Sequence, residues 1–178
     1  MSSRSASAKP RSDLGYPPFE IRAQVTIRFA RADDLPKLEW FGAFAHFRDY
    51  YQRTWRDHQA GRRLMLVAEL QNFPVGQVWL DVTPLDYAYL YSLRVMEPLQ
   101  GLGLGTRLIQ SAEMLARSYG YGQIQLAVEK TNTAALRLYE RLGFQVFSQR
   151  VDVWSYVDHH GETHWVQEDV YGMRKTLA

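Results

Sequence analysis

Three glycines at a strand-to-helix junction constrain this chain more than anything else in it: Gly101-Leu102-Gly103-Leu104-Gly105. Before them, Tyr87 to Val95 is rich in aromatic and branched residues, which predicts a strand. After them the period changes. Leu108, Ile109, Ala112, Leu115, Ala116 and Tyr119 share one helical face, and Gly120 ends it. Gln123 to Val128 reads as a second short strand. Asn132 or Thr133 then caps a helix striped by Ala135, Leu138, Tyr139 and Leu142 and stopped by Gly143. A glycine turn at a helix start leaves backbone N–H groups unpaired, at the positive end of the helix dipole. Without Cβ atoms a ligand can approach the main chain closely. The expected ligand is an anion, a phosphate or pyrophosphate.

Two common phosphate motifs fail. A Walker A loop needs Lys then Ser or Thr after its last glycine, and Thr106-Arg107 does not supply them. The dinucleotide fingerprint needs a glycine three residues on, where Thr106 or Leu108 stands. Glu129, roughly 20 residues downstream, is the one feature that suits a nicotinamide cofactor.

Gln100-x-x-Gly103-x-Gly105 resembles the acyl-coenzyme A signature of the GNAT superfamily of N-acetyltransferases. Pro98 in the turn, Asn132 after the second strand and Ala135-Leu-Arg-Leu-Tyr139-Glu-Arg-Leu-Gly143-Phe144 match its surroundings. The likeness spans about Val25 to Lys175 and is most specific from Tyr87 to Phe144. It implies acetyl-coenzyme A as co-substrate, with pantetheine wedged between the strands Tyr87–Val95 and Gln123–Val128. It implies pyrophosphate held by Gly101, Leu102, Gly103, Leu104, Gly105 and Thr106, with Gln100 ordering the loop or touching phosphate. Backbone groups of Leu93, Arg94 and Val95 would meet pantetheine and the acyl carbonyl, and Asn132 would touch the cofactor. As a helix cap, Asn132 needs no ligand. Tyr139 is the expected catalytic acid for the departing thiolate, although it also sits on an apolar stripe.

No general base is assigned. Where relatives carry glutamate, this chain has Tyr89, Tyr91 and Ala127. Asp81, Asp86, Glu129 and His160 remain open, and Asp81 shares a strand face with Gln77 and Trp79. Tyr87, Tyr89 and Tyr91 lie on one face, as an acceptor pocket or as cross-strand packing. His159, His160 and His164 cluster around a turn without a metal-ligand pattern, so no metal is expected.

The remainder fits one domain. Val25–Phe29 alternates as a first strand. A helix with an Asp cap and Pro36 in its first turn should bury Leu35, Leu38 and Phe41 until Gly42 interrupts it. A second helix should span about Phe44 to Gln59, with Phe44, Phe47, Tyr51 and Trp55 inward. Arg62–Glu69 and Val75–Val82 should form a hairpin, and Phe144 to Trp154 and Val166 to Arg174 a closing one. The expected fold is α/β (α+β): a mixed, mostly antiparallel, twisted sheet of about six to seven strands with helices on both faces. Residues 1–20 read as a flexible tail, basic but without the apolar core of a signal, and 21–178 as a single N-acetyltransferase domain.

A net charge of +2 gives no case for nucleic acid or a membrane surface, and no apolar run approaches the ~18 residues of a span. Absence of cysteine excludes disulfides and a cysteine acyl-enzyme. The expected function is cytoplasmic transfer of acetyl from acetyl-coenzyme A to a small-molecule or peptide amine, and the resemblance leaves room for a homodimer. The alternatives are an acyl-coenzyme A-binding module without transfer, and a nicotinamide-binding fragment.

Overall fold

A computed structural model describes residue 20 and residues 22–177; all but the last residue of the expected tail, residues 1–20, lies outside the described residues. Seven strands form one sheet in the order β1-β2-β3-β4-β5-β7-β6. They are β1 (Val25–Phe29), β2 (Arg63–Leu70), β3 (Phe73–Asp81), β4 (Ala88–Val95), β5 (Gln123–Glu129), β6 (Gln145–Val157) and β7 (Thr163–Thr176). Only β4 and β5 pair in parallel, joined by the crossover helix α2 (Leu104–Ser118). The mixed sheet with helices on both faces is the architecture expected from the sequence.

β2 and β3 are buried on both faces, and one alternation set serves each core. Leu64, Leu66, Ala68, Val78 and Leu80 pack under α2 and α3 (Thr133–Arg141). Met65, Val67 and Trp79 pack under α1 (Arg48–Gln59). Leu108, Ile109, Ala112 and Ala116 of α2 are fully buried, and each of the larger side chains is worth about 1.5–3 kcal/mol. α2 comes so close to β3 that a Cβ on Gly76 would stand 3.1 Å from Leu108 Cδ1 and 3.3 Å from the Arg94 carbonyl. Inside that face Glu113 takes the Lys175 ammonium at 2.7 Å, tying α2 to β7.

The N-terminal third departs from expectation. Instead of one helix before Gly42 there are two 3-10 turns, Ala32–Asp34 and Lys37–Glu39. Trp40, Phe41 and Gly42 follow with φ of 42°, 59° and 95°, which no α-helix contains. Asp34 does not cap a longer helix. It accepts from the Arg31 N–H at 2.7 Å and pairs bidentately with Arg28 at 2.7 and 2.9 Å, while Arg28 also reaches Glu69. Phe41 is exposed and stacks on Phe73 rather than entering a core. The second helix begins at Arg48, with Ala45–Phe47 wound as a 3-10 turn. The closing hairpin is longer than its sequence pattern suggests at both strands.

Candidate active site

β4 makes the site by carrying one residue too many. Opposite Gln77 to Trp79 on β3, β4 advances from Arg94 to Tyr91, so Ser92 and Leu93 both face Val78. Ser92 absorbs the extra residue with φ of 53°. The bulge reverses the alternation of the strand. Ala88 and Leu90 point to the α2 side before it, and Leu93 and Val95 after it. Pairing with β5 also stops here: the register covers only Ala88–Ile124 and Tyr89–Gln125. Beyond Tyr89 the two strands diverge, which is the wedge expected from the sequence.

Two cavities occupy the opening and share Leu93, Arg94, Asn132 and Ala135 as walls. The one beside α2, about 410 Å³, is bounded by Val95, Gln100, Gly101, Gly103, Leu104, Gly105 and Thr106. Gly101 and Gly103 have φ of 76° and 85°, conformations that cost a residue with a Cβ roughly 1–2 kcal/mol. Among the described residues, no backbone N–H from Gly101 to Thr106 donates to a protein acceptor; the first bond of α2 runs from Arg107 N to the Gly103 carbonyl, 3.1 Å. The first turn of α2 holds no acid, and Arg137 and Arg141 of α3 form the opposite wall. The arrangement suits a polyanion.

The expected site residues fall as follows. Leu102 is exposed and lines neither cavity. Gln100 donates to the Val95 carbonyl at 3.0 Å, so its side chain orders the loop and occupies that strand carbonyl. Asn132 caps α3 by accepting from Ala135 N at 3.1 Å while facing both cavities. Arg94 contributes strand backbone to the opening. Its guanidinium lies over Phe44 and Phe47, 4.5 and 4.7 Å from the ring centres, and donates to the Tyr51 hydroxyl at 3.1 Å.

The second cavity, about 610 Å³, holds Tyr139. The ring is buried edge-on against Phe144, and its hydroxyl has no partner among the described residues. That hydroxyl is also not among the sealed, unsatisfied polar atoms, so it opens onto the cavity. Burial, with a smaller effect from Tyr89, pushes its pKa up to about 12, which keeps the phenol protonated. Burial likewise raises Tyr50, Tyr89 and Tyr91.

Of the open base candidates, Glu129 lines this cavity and Asp81, Asp86 and His160 do not. Asp81 instead accepts from Thr83 N–H and hydroxyl at 2.9 and 2.6 Å. Sequence reading missed Asp152 and Glu168, which the closing hairpin brings into the same wall. The histidine turn stands apart. Asp158 accepts from the His160 and Glu162 amides at 2.8 and 3.0 Å and meets His164 Nε2 at 2.7 Å. Those bonds, His164 first, hold the Asp158 carboxyl well below the usual carboxylate range. Asp158, Glu162 and His164 place ligand atoms within 4.8 Å of one another, but the carboxylate is already spent on closing the turn.

A parallel strand pair that opens beside an unbonded helix start defines the acyl-coenzyme A N-acyltransferase class of folds. The sequence profile of the acetyltransferase (GNAT) family matches residues 29–144, and the chain belongs to that family. It is 40% identical over 79 residues to mycothiol acetyltransferase of Jonesia denitrificans, covering 44% of this chain and 25% of that one. It is 31% identical over 147 residues to an uncharacterised N-acetyltransferase of Methanocaldococcus jannaschii, covering 71% of this chain and 63% of that one. The chain thus spans a quarter and just under two thirds of these relatives. A Salmonella typhimurium protein solved with its cofactor acetyl-CoA superposes with TM-score 0.68 at 22% identity, over 87% of this chain and 95% of that one.

Proposed function

We propose that this chain is an acetyl-CoA-dependent N-acetyltransferase acting by direct attack in a ternary complex. The observation that carries the reading is the opening of β4 from β5 after Tyr89, next to amides 101–106 that lack protein acceptors. The diphosphate would sit on those amides, with Arg137 and Arg141 opposite. The pantetheine arm would run through the opening along Leu93 to Val95.

The acceptor then enters from the Tyr139 side. Its nitrogen forms a bond to the acetyl carbon, the C–S bond breaks, and the bonding pair leaves on sulfur. The nitrogen releases its proton to cleft water. Tyr139 donates a hydrogen bond to the departing sulfur. Full transfer from a phenol at about 12 to a thiolate whose acid has a pKa near 8.5 is uphill, so the hydrogen bond is the larger contribution and solvent completes the protonation.

Titration calorimetry with acetyl-CoA tests the reading: heat with one-to-one stoichiometry is expected, and no binding at millimolar ligand refutes it. A second reading, an acyl-CoA-binding module without transfer, draws on Ala127 and the tyrosines standing where a base is expected. Tight binding without thiol release across a broad amine panel would favour it.

A further inference from the structure

The Tyr139 cavity carries charge mainly of one sign. Glu129, Asp152 and Glu168 line it, against Arg94 as the one lining cation among the described residues. Arg94 is largely committed to two aromatic faces and the Tyr51 hydroxyl. Asp152 is answered by Arg150 through two bonds of 2.6 and 3.1 Å. Glu168 is not answered by any cation among the described residues. Its Oε2 accepts from the neutral Trp154 indole at 3.2 Å, and its Oε1 has no partner among the described residues.

The same cavity is lined by the rings of Tyr50, Tyr89, Tyr91 and Trp154, and the Trp154 indole bonds the carboxylate directly. The faces of such rings attract a cation. Register places Glu168 directly across from the Arg150-paired Asp152, so an acid on the incoming molecule would meet the uncompensated Glu168 charge.

We propose that the acceptor is a cationic primary amine with no carboxylate beside the reacting nitrogen, and that Glu168 anchors it. This rests on the N-acetyltransferase reading and narrows it to one substrate class. Glu168 holds the ammonium while the phenol and indole faces strip its water; the ammonium then gives one proton to cleft water, and the neutral amine attacks the thioester. An α-amino acid pays for the same approach with repulsion from Glu168.

The test uses acetyl-CoA with tyramine, tyrosinamide and tyrosine, then agmatine and arginine, and reads kcat/KM by thiol release in wild type and Glu168→Gln. The expected result is at least a tenfold preference, about 1.4 kcal/mol, for the members without a carboxylate. Glu168→Gln should lower their kcat/KM tenfold, leave acetyl-CoA affinity unchanged and shrink the preference. Unchanged affinity also reports that the variant is folded. Equal use of carboxylated and uncarboxylated members, preference for the carboxylated ones, an unaffected Glu168→Gln, or no turnover of any member with acetyl-CoA bound overturns the proposal and leaves the cofactor reading standing. Failure of acetyl-CoA to bind removes both.

Discussion

Replacing Tyr139 by Phe removes one oxygen from a site where its energetic effect can be isolated. The hydroxyl makes no hydrogen bond among the described residues, and the ring keeps its edge contact with Phe144. The fold should therefore stay within about 0.5 kcal/mol of wild type. In the proposed reaction the phenol, held protonated by burial that pushes its pKa up to about 12, would donate to a sulfur that gains negative charge as the C–S bond breaks. A hydrogen bond to a charged group is worth about 1.5–3 kcal/mol. At about 1.36 kcal/mol per decade, the chemical step should slow roughly 10- to 150-fold. Because the charge develops after binding, acetyl-CoA affinity should not change. Single-turnover thiol release isolates chemistry from product release, and calorimetry reads affinity. An unchanged single-turnover rate would refute the acid role. Equal losses in rate and affinity would show instead that the hydroxyl holds the bound cofactor.

Gly103→Ala places a Cβ at φ of 85°, where no protein atom lies within 4 Å; it should cost about 1–2 kcal/mol in denaturant unfolding and weaken acetyl-CoA about tenfold. Lost stability with intact affinity would argue against the amide cradle. Asn132→Ala removes the α3 cap and should cost about 1 kcal/mol, visible as a lower midpoint in thermal denaturation. Asp34→Ala removes one of the two carboxylates that hold Arg28, leaving Glu69, and should cost about 1.5–3 kcal/mol by urea unfolding. Burial raises the Asp34 pKa, but the bonds from Arg28 and the Arg31 amide outweigh it and hold it below its ordinary value. That stability is present above about pH 3.9 and is lost as pH falls through the folded value. At the other extreme, burial raises Tyr50, Tyr89, Tyr91 and Tyr139, the last to about 12. The folded chain binds these protons more tightly, so stability is complete below about pH 10 and falls as pH rises through the folded values. Phenolate absorbance should show a late-titrating class that appears together with unfolding.

The glycine-loop half of the opening was legible because its signals are local. Glycines at 101, 103 and 105, the cap at Asn132 and the stripe through Tyr139 act over a turn or two of chain. The stretch from Leu35 to Phe41 was misread for an equally local reason. Leu35, Leu38 and Phe41 recur every three residues, which suits a 3-10 turn as well as the start of an α-helix, and left-handed Trp40 and Phe41 then end any helix. Glu168 and Asp152 gave no local sign. They matter because β6 and β7 carry them past the end of β5, and strand order is a long-range outcome. The bulge at Ser92 lies between these cases. Apolar residues on β4 facing α2 occupy even positions, Ala88 and Leu90, and then odd ones, Leu93 and Val95, so the shift in parity was already written in the sequence. Its consequence was not. One extra residue turns Leu93 to Val95 toward the opening just where β5 stops pairing, so the wedge and the strand edge that would line a thioester arise from a single insertion. A deletion of Ser92 would leave Leu93 and Val95 on the α2 face, remove the bulge opposite Val78 and draw β4 toward β5. The site therefore depends less on the identity of Ser92 than on the odd residue count it supplies.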